Sequence, residues 1–389
     1  MDITTGTTSL LDVTSSIVEL AKPEKTVNVQ VCKIYKFVLS FWINGLLCLF
    51  GIGGNILSMI VLQKITKKSG KATSATILMM ALLVADILVL IMMAAMKSVP
   101  ALCTFVDICK DFFAIYPYYL IWGWPLTTVA HALSTWMIML LTIHRYIAVC
   151  YPHKAALWGK PRQVISHIIL FTIFTIAFIM PTFVNDYIEK RFDPETNTTK
   201  LYKMRRDFSA GKSYNVIYTV VLYYMVTYAI PLGTISFLTF FLMRTLKRSR
   251  AFRRQMTQRN IPAKCPGMSN KEDDHDNILL SIIFVYLCTQ VWEPIRRIIE
   301  NYSGNTWPQC GEFRYYFDEI PSLMAVISSS MNFVIYCSSG KRMRGLMKEM
   351  FWCCFRKELG NSESGEPSSG LTGSTNGRAN TTTPANNHM

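Results

Sequence analysis

Long apolar runs alternate with short polar segments along the whole chain. A helix needs about 20 apolar residues to cross the hydrocarbon core of a bilayer. Seven such runs are present, at about residues 37–63, 74–97, 118–149, 164–184, 216–243, 277–299 and 319–338. The alternation typical of a membrane β-barrel is not visible, so backbone hydrogen bonds must be satisfied within helices. The pattern predicts an all-α membrane protein built as a seven-transmembrane helix bundle.

The remaining segments divide the chain into four parts. Residues 1–36 lack the apolar core of a cleavable signal peptide and are expected to form an N-terminal segment before the bundle at 37–338. Residues 339–357 are amphipathic and predict a short eighth helix along the membrane surface. Residues 358–389 are rich in Ser, Thr, Gly and Asn, which predicts a disordered tail.

Basic residues are concentrated in the loops after the first, third, fifth and seventh runs. The chain has 40 Lys and Arg against 25 Asp and Glu, a formal net charge of +15. The positive-inside rule places these loops in the cytoplasm and the N-terminus outside the cell. We assign the excess charge to contact with anionic membrane lipids. Nucleic acid is not an expected partner, because no basic and aromatic binding module is visible.

A few polar residues interrupt the apolar runs. Asp86 lies about halfway along the second run, and a carboxylate at that depth is a functional candidate. Ser134, Ser328 and Asn332 lie at similar depths in the third and seventh runs, so the four oxygen-bearing side chains together could enclose a small cation. The alternative is a protonated structural acid.

The polar residues also form an ordered series of short motifs. The series runs Asn55, Asp86, His144-Arg145-Tyr146, Pro231, Trp292-Glu-Pro294 and Asn332-Phe-Val-Ile-Tyr336. It resembles the rhodopsin-like (class A) G-protein-coupled receptors over residues 37–357. The resemblance implies that an agonist rearranges the helices and opens a cytoplasmic cleft for a heterotrimeric G protein. It also implies an allosteric sodium ion at Asp86, Ser134, Ser328 and Asn332. The implied switch residues are His144, Arg145, Tyr146, Asp274, Asn332 and Tyr336.

The chain departs from that family at several positions. His144 stands where the family usually has an acid that restrains the arginine, and Asp274 is the alternative partner for Arg145. Phe333 replaces the usual proline, which removes an expected kink. The family normally bridges the outer end of the third helix to the loop after the fourth, but residues 185–215 contain no cysteine.

Covalent modification is expected at both membrane faces. Four cysteines, Cys32, Cys103, Cys109 and Cys310, fall on the outer side, where two disulfides and three pairings are open. Asn197 and Asn301 begin N-glycosylation motifs on the same side. Cys353 and Cys354 follow the amphipathic segment and are candidates for palmitoylation.

The outer halves of the helices indicate which ligand class to expect. No lysine in the seventh run is available for a retinal Schiff base, and Thr127 stands where amine receptors have an aspartate. Mixed charges and aromatic side chains suit a peptide, since acids can pair with a ligand arginine. The alternative for Glu293 and Arg296 is that they pair with each other. The predicted pocket consists of Trp122, Trp124, Thr127, His131, Trp292, Glu293, Arg296, Arg297 and Glu319.

Local phrases narrow the resemblance. Arg145 to Pro152 and Met331 to Cys337 are similar to the invertebrate FMRFamide-type neuropeptide receptors. The chain is therefore predicted to be a plasma-membrane receptor for an RF-amide type neuropeptide, with arrestin as a further partner through its Ser/Thr-rich tail. It is not expected to be an enzyme, because no nucleophile triad, metal cluster or phosphate-binding loop is present.

Three alternatives stay open at this point. A receptor for another peptide is favoured by His144 and by the missing cysteine in the loop after the fourth run. A receptor that signals without ligand is favoured by His144 and Phe333. A seven-helix transporter would use Asp86 as its ion site, and the lack of internal repeats counts against it.

Overall fold

A computed structural model describes residues 29–70, 72–106, 110–193, 198–258, 280–302 and 309–339, together with Gly345. Several predicted features lie outside these residues. They are the eighth helix apart from Gly345, the tail, and Cys109, Asn197, Asp274, Cys353 and Cys354.

Seven long helical segments dominate the described part of the chain. They are α1 (Val29–Ser69), α2 (Ser74–Val106), α3 (Lys110–Cys150), α4 (Pro161–Val184), α5 (Ile230–Gln258), α6 (280–290 and Trp292–Tyr302) and α7 (Glu319–Ser339). Short helices occupy Pro152–Trp158, Asp207–Ala210, Lys212–Tyr214 and Phe313–Phe317. The bundle agrees with the predicted seven-helix fold, although α1 begins eight residues before the predicted start at 37.

Local sequence explains several helix ends. Gly70 ends α1 with a φ of 69°, a left-handed conformation that glycine adopts without steric cost. Thr73 caps α2, because its hydroxyl accepts a hydrogen bond from the Thr76 amide at 3.3 Å. The helices on either side of this turn therefore stop and start for reasons visible in the sequence.

The sixth predicted span is the one that departs from a continuous helix. Six helices among the described residues are long and apolar enough to cross a membrane, and α6 is not one of them. Its helix is interrupted by a turn at Val291. Pro294 explains the break, because proline has no amide hydrogen and its ring collides with the carbonyl of residue i−4, here Gln290. The predicted run from 277 to 299 thus folds as two helical halves.

The end of the bundle that contains the break in α6 also carries four π-helical segments and a β-hairpin. We call it the hairpin end. The π-helical segments are Phe37–Ile43, Ala94–Ser98, Asn215–Leu222 and Met225–Ala229. The hairpin pairs strand β1 (Asp186–Asp193) antiparallel with strand β2 (Thr198–Arg205), with Asp186 opposite Arg205. Neither feature was expected from the sequence. A π-helical turn changes the direction of the side chains around it, and such turns are frequent at functional sites.

Asn185 holds the base of the hairpin. Its backbone carbonyl accepts hydrogen bonds from the Arg206 amide at 2.9 Å and from the Ser209 hydroxyl at 2.8 Å. Its side-chain oxygen accepts a third from the Tyr214 hydroxyl at 2.7 Å. These bonds join the end of α4 to the segment before α5, on a loop that has no cysteine to anchor it.

The centre of the bundle is packed from α1, α2, α3 and α7. One buried cluster contains Cys48, Leu90, Ala130 and Val326, one residue from each of these helices. Glycine allows α1 and α7 to approach closely. A Cβ atom on Gly54 would lie 2.6 Å from Cγ of Phe333, so only glycine fits at that position. Helix α7 runs unbroken through Phe333, as the replacement of the usual proline predicts.

A disulfide fixes the start of α1 to the segment before α7. Cys32 is bonded to Cys310, with 6.0 Å between their Cα atoms. Cys103 is also disulfide-bonded, and its partner lies outside the described residues. The structure therefore selects one of the three pairings that the sequence left open. Hydrogen bonds reinforce the junction, since the Tyr35 hydroxyl donates to the Tyr316 carbonyl at 3.0 Å.

Candidate ligand cavity and buried polar cluster

A cavity of about 670 Å³ opens at the hairpin end between the helices and the hairpin. Six of the seven long helices, all but α5, contribute residues to its lining. The hairpin contributes Asp186 and Arg205, and the segment before α5 contributes Tyr218 and Tyr223. Ligand pockets in proteins usually have volumes of about 300 to 1,000 Å³. The cavity is therefore large enough for several residues of a peptide.

Ion pairs join α2 to the start of α7 along one wall. Lys97 Nζ lies 2.7 Å from Asp318 Oδ2 and 3.5 Å from Glu319 Oε1. The Ser40 hydroxyl donates a hydrogen bond to Glu319 Oε2 at 2.7 Å. Ser40 and Lys97 both lie on π-helical segments, which orient these side chains toward α7. The segments therefore help to assemble the wall.

A second set of ion pairs continues into α6. Arg296 Nε donates to Glu293 Oε2 at 3.0 Å, and Arg296 Nη1 lies 3.5 Å from Asp318 Oδ1. Arg297 Nε lies 3.3 Å from Glu293 Oε1, and its guanidinium lies 5.2 Å from the centre of the Tyr223 ring. Glu293 and Arg296 thus pair with each other, which is the alternative that the sequence left open.

The charge that lines the cavity is strongly unbalanced. Eight Lys or Arg residues line it, against three Asp or Glu residues. All three acids are engaged within the protein, because Asp186 pairs with Lys203 at 2.9 Å and the other two bind Lys97. The lining basic residues are Lys33, Lys36, Lys97, Lys203, Arg205, Arg296, Arg297 and Arg314.

The structure places some of the predicted pocket residues in the lining of the cavity and others outside it. Trp124, Arg296, Arg297 and Glu319 line the cavity. His131, Trp292 and Glu293 do not line it, although His131 lies beside Glu293, which binds both arginines.

Two predicted pocket residues lie elsewhere, which corrects the sequence interpretation. The Trp122 side chain is 58% exposed on the outside of the bundle, with its ring centre 6.0 Å from that of Phe183. The Thr127 hydroxyl turns back to the Gly123 carbonyl at 2.8 Å. Conversely, Lys97 was not expected at the site. A lysine at the end of an otherwise apolar run is the signal that identifies it.

A buried polar cluster lies deeper in the bundle around Asp86. Its Oδ1 atom accepts hydrogen bonds from the Ser134 hydroxyl at 2.7 Å and the Ser329 hydroxyl at 3.0 Å, and its Oδ2 accepts one from the Asn332 amide. Ser329 occupies the place expected for Ser328, which is buried but makes no such bond to Asp86 among the hydrogen bonds of the described residues. The four side chains carry a carboxylate, two hydroxyl groups and one amide, and the oxygen atoms of such groups are the ligands that a hard cation prefers.

Neighbouring polar groups extend this cluster. The Asn55 amide donates to the Ser329 carbonyl at 3.0 Å, so the buried asparagine of α1 has the partner that its depth requires. The Tyr286 hydroxyl donates to Thr135 Oγ1 at 3.0 Å and joins α6 to α3. Tyr336 is 1% exposed, one turn from Asn332 on α7. Five helices, α1, α2, α3, α6 and α7, thus meet at polar contacts in the middle of the bundle.

The end of the bundle opposite the hairpin carries the predicted switch residues of α3. His144 is half-buried and its ring centre lies 5.6 Å from that of His167 on α4. The ring of Tyr146 lies 5.8 Å from that of Tyr151 in an edge-to-face arrangement. Cys150 donates to the Thr245 hydroxyl of α5 at 3.6 Å. Arg145 lies between these contacts, and Asp274 is outside the described residues.

Comparison with known proteins adds a family match that covers most of the chain. The sequence profile of the family described as "Serpentine type 7TM GPCR chemoreceptor Srw" matches residues 42–354. The matched region contains the cavity apart from Lys33, Lys36 and Ser40, and it contains the whole polar cluster.

Individual relatives are more distant. An "FMRFamide receptor" of Drosophila melanogaster is 24% identical over 334 residues, which cover 84% of this chain and 56% of the relative. An "FMRFamide peptide receptor frpr-18" of Caenorhabditis elegans is 23% identical over 303 residues, 76% of this chain and 65% of the relative. A "Rhodopsin" of Lethenteron camtschaticum is 25% identical over 247 residues, 62% of this chain and 63% of the relative. The chain thus spans less than two thirds of the length of each of these relatives.

Proposed function

The chain belongs to the serpentine 7TM GPCR chemoreceptor Srw family, and from this membership we propose that it is a receptor for an FMRFamide-like neuropeptide that signals to a heterotrimeric G protein. A member of this family is a multi-pass membrane receptor and not an enzyme. The neuropeptide ligand, the class A mechanism and the plasma-membrane location are parts of the proposal.

The cavity at the hairpin end is the observation that carries the proposal. Its volume of about 670 Å³ and its mixture of aromatic and charged side chains suit a short peptide. Two of the relatives are named as FMRFamide receptors, which supports the same ligand class. The Cys32–Cys310 disulfide supports an extracellular position for the cavity, because disulfides persist in oxidising compartments.

The proposed mechanism connects the cavity to the opposite end through α6 and the polar cluster. A peptide in the cavity meets Arg296 and Arg297, which lie just beyond the break at Val291. A helix interrupted at this point can change its bend without losing further hydrogen bonds. The Asp86 cluster then rearranges, and Arg145 contacts the G protein. Asp86, Ser134 and Asn332 are the residues that would hold a sodium ion, which would supply positive charge beside the carboxylate.

The remaining sequence predictions enter the same proposal. Glycosylation at Asn301, on the hairpin end of α6, and at Asn197 would mark the extracellular side. Palmitoylation at Cys353 and Cys354 and arrestin binding through the tail would act at the cytoplasmic side.

The proposal is tested by expressing the full chain and challenging the cells with a library of amidated neuropeptides. Calcium and cyclic-AMP responses should rise in a dose-dependent manner with RF-amide peptides. Arg145→Ala should abolish signalling and preserve peptide binding, because it removes the switch and leaves the cavity intact. Arg162→Ala is the control, since this exposed arginine lies near the same end at the start of α4. Silence of the wild-type receptor at the cell surface would withdraw the ligand, and normal signalling by Arg145→Ala would withdraw the mechanism.

A further inference from the structure

The lining of the cavity is incompatible with a ligand that is recognised only through positive charge. The acids that could receive a ligand arginine are already bound by lysines and arginines of the receptor. A ligand cation would have to displace one of these partners, and it would approach a surface that is itself positive.

Two basic side chains on opposite parts of the lining remain available. Lys36 of α1 is half-buried, with Nζ 4.3 Å from the centre of the Tyr315 ring. Arg205, at the end of β2, is exposed to the cavity beside the base of the hairpin. Among the described residues, neither forms an ion pair with a carboxylate, and both line the cavity.

We propose that this receptor selects peptides that carry an acidic side chain, whose carboxylate binds Lys36 or Arg205. Asp318 and Glu319 also lie near Lys36, but their direct ion pairs are with Lys97. This inference rests on the proposed peptide-receptor function and names a feature of the ligand that this function leaves undetermined. A charge-assisted hydrogen bond from lysine or arginine to a carboxylate is among the stronger polar interactions in proteins. The basic lining also attracts an acidic peptide during its approach.

The position of the two residues makes the selection specific. Lys36 is held in place by the Tyr315 ring, and the Tyr315 hydroxyl is fixed to the Cys32 carbonyl at 3.2 Å. Arg205 is fixed through its backbone pairing with Asp186, which stands next to the Asn185 contacts. A basic group held in position loses less freedom on binding than a mobile surface lysine.

The test uses purified full-length receptor in lipid nanodiscs and a library of amidated heptapeptides. Each member with Asp or Glu is matched by a member with Asn or Gln at the same position. Peptides retained by the receptor are quantified by mass spectrometry. The wild-type receptor should retain acidic members about tenfold more than their amide counterparts, a difference expected from one strong interaction. The preference should weaken as salt is raised, because salt screens the attraction.

Two double variants distinguish the effect of the basic residues that line the cavity from the effect of the total charge of the receptor. Lys36→Gln with Arg205→Gln should remove most of the preference. Lys190→Gln with Arg191→Gln removes the same charge from exposed hairpin positions that do not line the cavity, and should leave the preference unchanged. Arg205→Glu should increase retention of peptides containing Lys or Arg, a gain that misfolding does not produce.

The outcomes that overturn the inference are clear. Equal retention of acidic and amide members, retention of basic members only, or no retention at all would each reject it. RF-amide signalling provides the separate readout of the proposed function. Equal potency of Asp-extended and Asn-extended RF-amide peptides would reject the acidic anchor alone. Retention of acidic peptides together with silence toward RF-amides would reject the RF-amide ligand alone.

Discussion

Asp86 is the residue at which α2, α3 and α7 meet through hydrogen bonds. Ser134, Ser329 and Asn332 donate three hydrogen bonds to one carboxylate that is 1% exposed. An ionised group at this depth needs such partners, because few alternatives exist in a bilayer. The presence of an acid could be predicted from the sequence. The choice between Ser328 and Ser329 could not, because adjacent residues differ by about 100° around a helix and packing sets that rotation.

The distinction between the two serines provides a matched test. Ser329→Ala removes the donor at 3.0 Å from Asp86 and should lower the stability of the purified receptor by about 1.5 to 3 kcal/mol, the usual contribution of a hydrogen bond to a charged group. It should also weaken any effect of sodium on agonist affinity. Ser328→Ala is equally buried and should leave both properties close to wild type. Thermal unfolding in sodium and in potassium measures the difference. A larger effect of Ser328→Ala would show that α7 is rotated relative to the arrangement described.

Helix α1 packs closely on α7 at Gly54, and the neighbouring Gly53 shows how far the tolerance for a side chain differs between two faces of one helix. A Cβ on Gly54 would meet Phe333 at 2.6 Å, whereas a Cβ on Gly53 would meet nothing within 4 Å. The two glycines are adjacent in sequence and differ only in the face they present. The sequence predicts that small residues let helices approach, but not which glycine does so.

Substitution by alanine should separate the two positions. Gly54→Ala should destabilise the receptor by about 1 to 3 kcal/mol, the cost of overpacking a tight contact. Gly53→Ala should be neutral or stabilising by up to about 1 kcal/mol, because alanine is the better helix former. Thermal unfolding of both variants measures this. Phe333→Ala should rescue Gly54→Ala in part, because it removes Cγ and Cδ1, at 2.6 and 2.9 Å from the new methyl group, but keeps Cβ at 2.7 Å. Failure to rescue at all would show that another contact limits the site.

The hairpin is the element that the sequence analysis missed. Its strands, β1 and β2, are eight residues each and pair antiparallel, and Asp186 and Arg205 at their paired ends line the cavity. Apolar and polar residues do not alternate regularly in either strand, so period-two patterning does not predict them. The contacts at Asn185 explain how the hairpin stays in place without the cysteine that the family usually supplies.

Loss of one of these contacts should loosen the hairpin. Tyr214→Phe keeps the ring and removes the hydroxyl that donates to Asn185 at 2.7 Å. We expect amide hydrogen exchange in residues 186–193 to rise about fivefold, since one neutral hydrogen bond contributes about 1 kcal/mol. Tyr187→Phe is the control, because Tyr187 is exposed on the same hairpin. Equal exchange in both variants would mean that the hydrogen bonds that the Asn185 carbonyl accepts from the Arg206 amide and the Ser209 hydroxyl are sufficient to hold the hairpin.

Across the whole molecule, the features predicted from sequence are local, and apart from the hairpin the features missed are distant. Apolar runs predicted the helices because each run is contained in one segment. Lys97 and its partner Asp318 are separated by 221 positions, so no local pattern reveals their pairing. The same holds for Cys32 and Cys310, which are 278 residues apart. Sequence alone identified these cysteines and left three pairings, because the folded bundle determines which ends meet.

The Cys32–Cys310 bond should therefore contribute to the stability of the bundle as a whole. It links α1 to the segment before α7, beside Lys36 and the ion-paired wall of the cavity. Replacing both cysteines by serine should lower the free energy of unfolding by about 2 to 4 kcal/mol, because closing a long loop restricts the unfolded chain. It should also reduce agonist potency, since Lys36 and Tyr315 are held next to the bond. Cys288→Ser, at an exposed free thiol, is the control for serine substitution. Thermal unfolding and agonist dose response measure the two effects. If the double cysteine variant unfolds at the same temperature as Cys288→Ser, the α1–α7 junction is held by its hydrogen bonds without the covalent link.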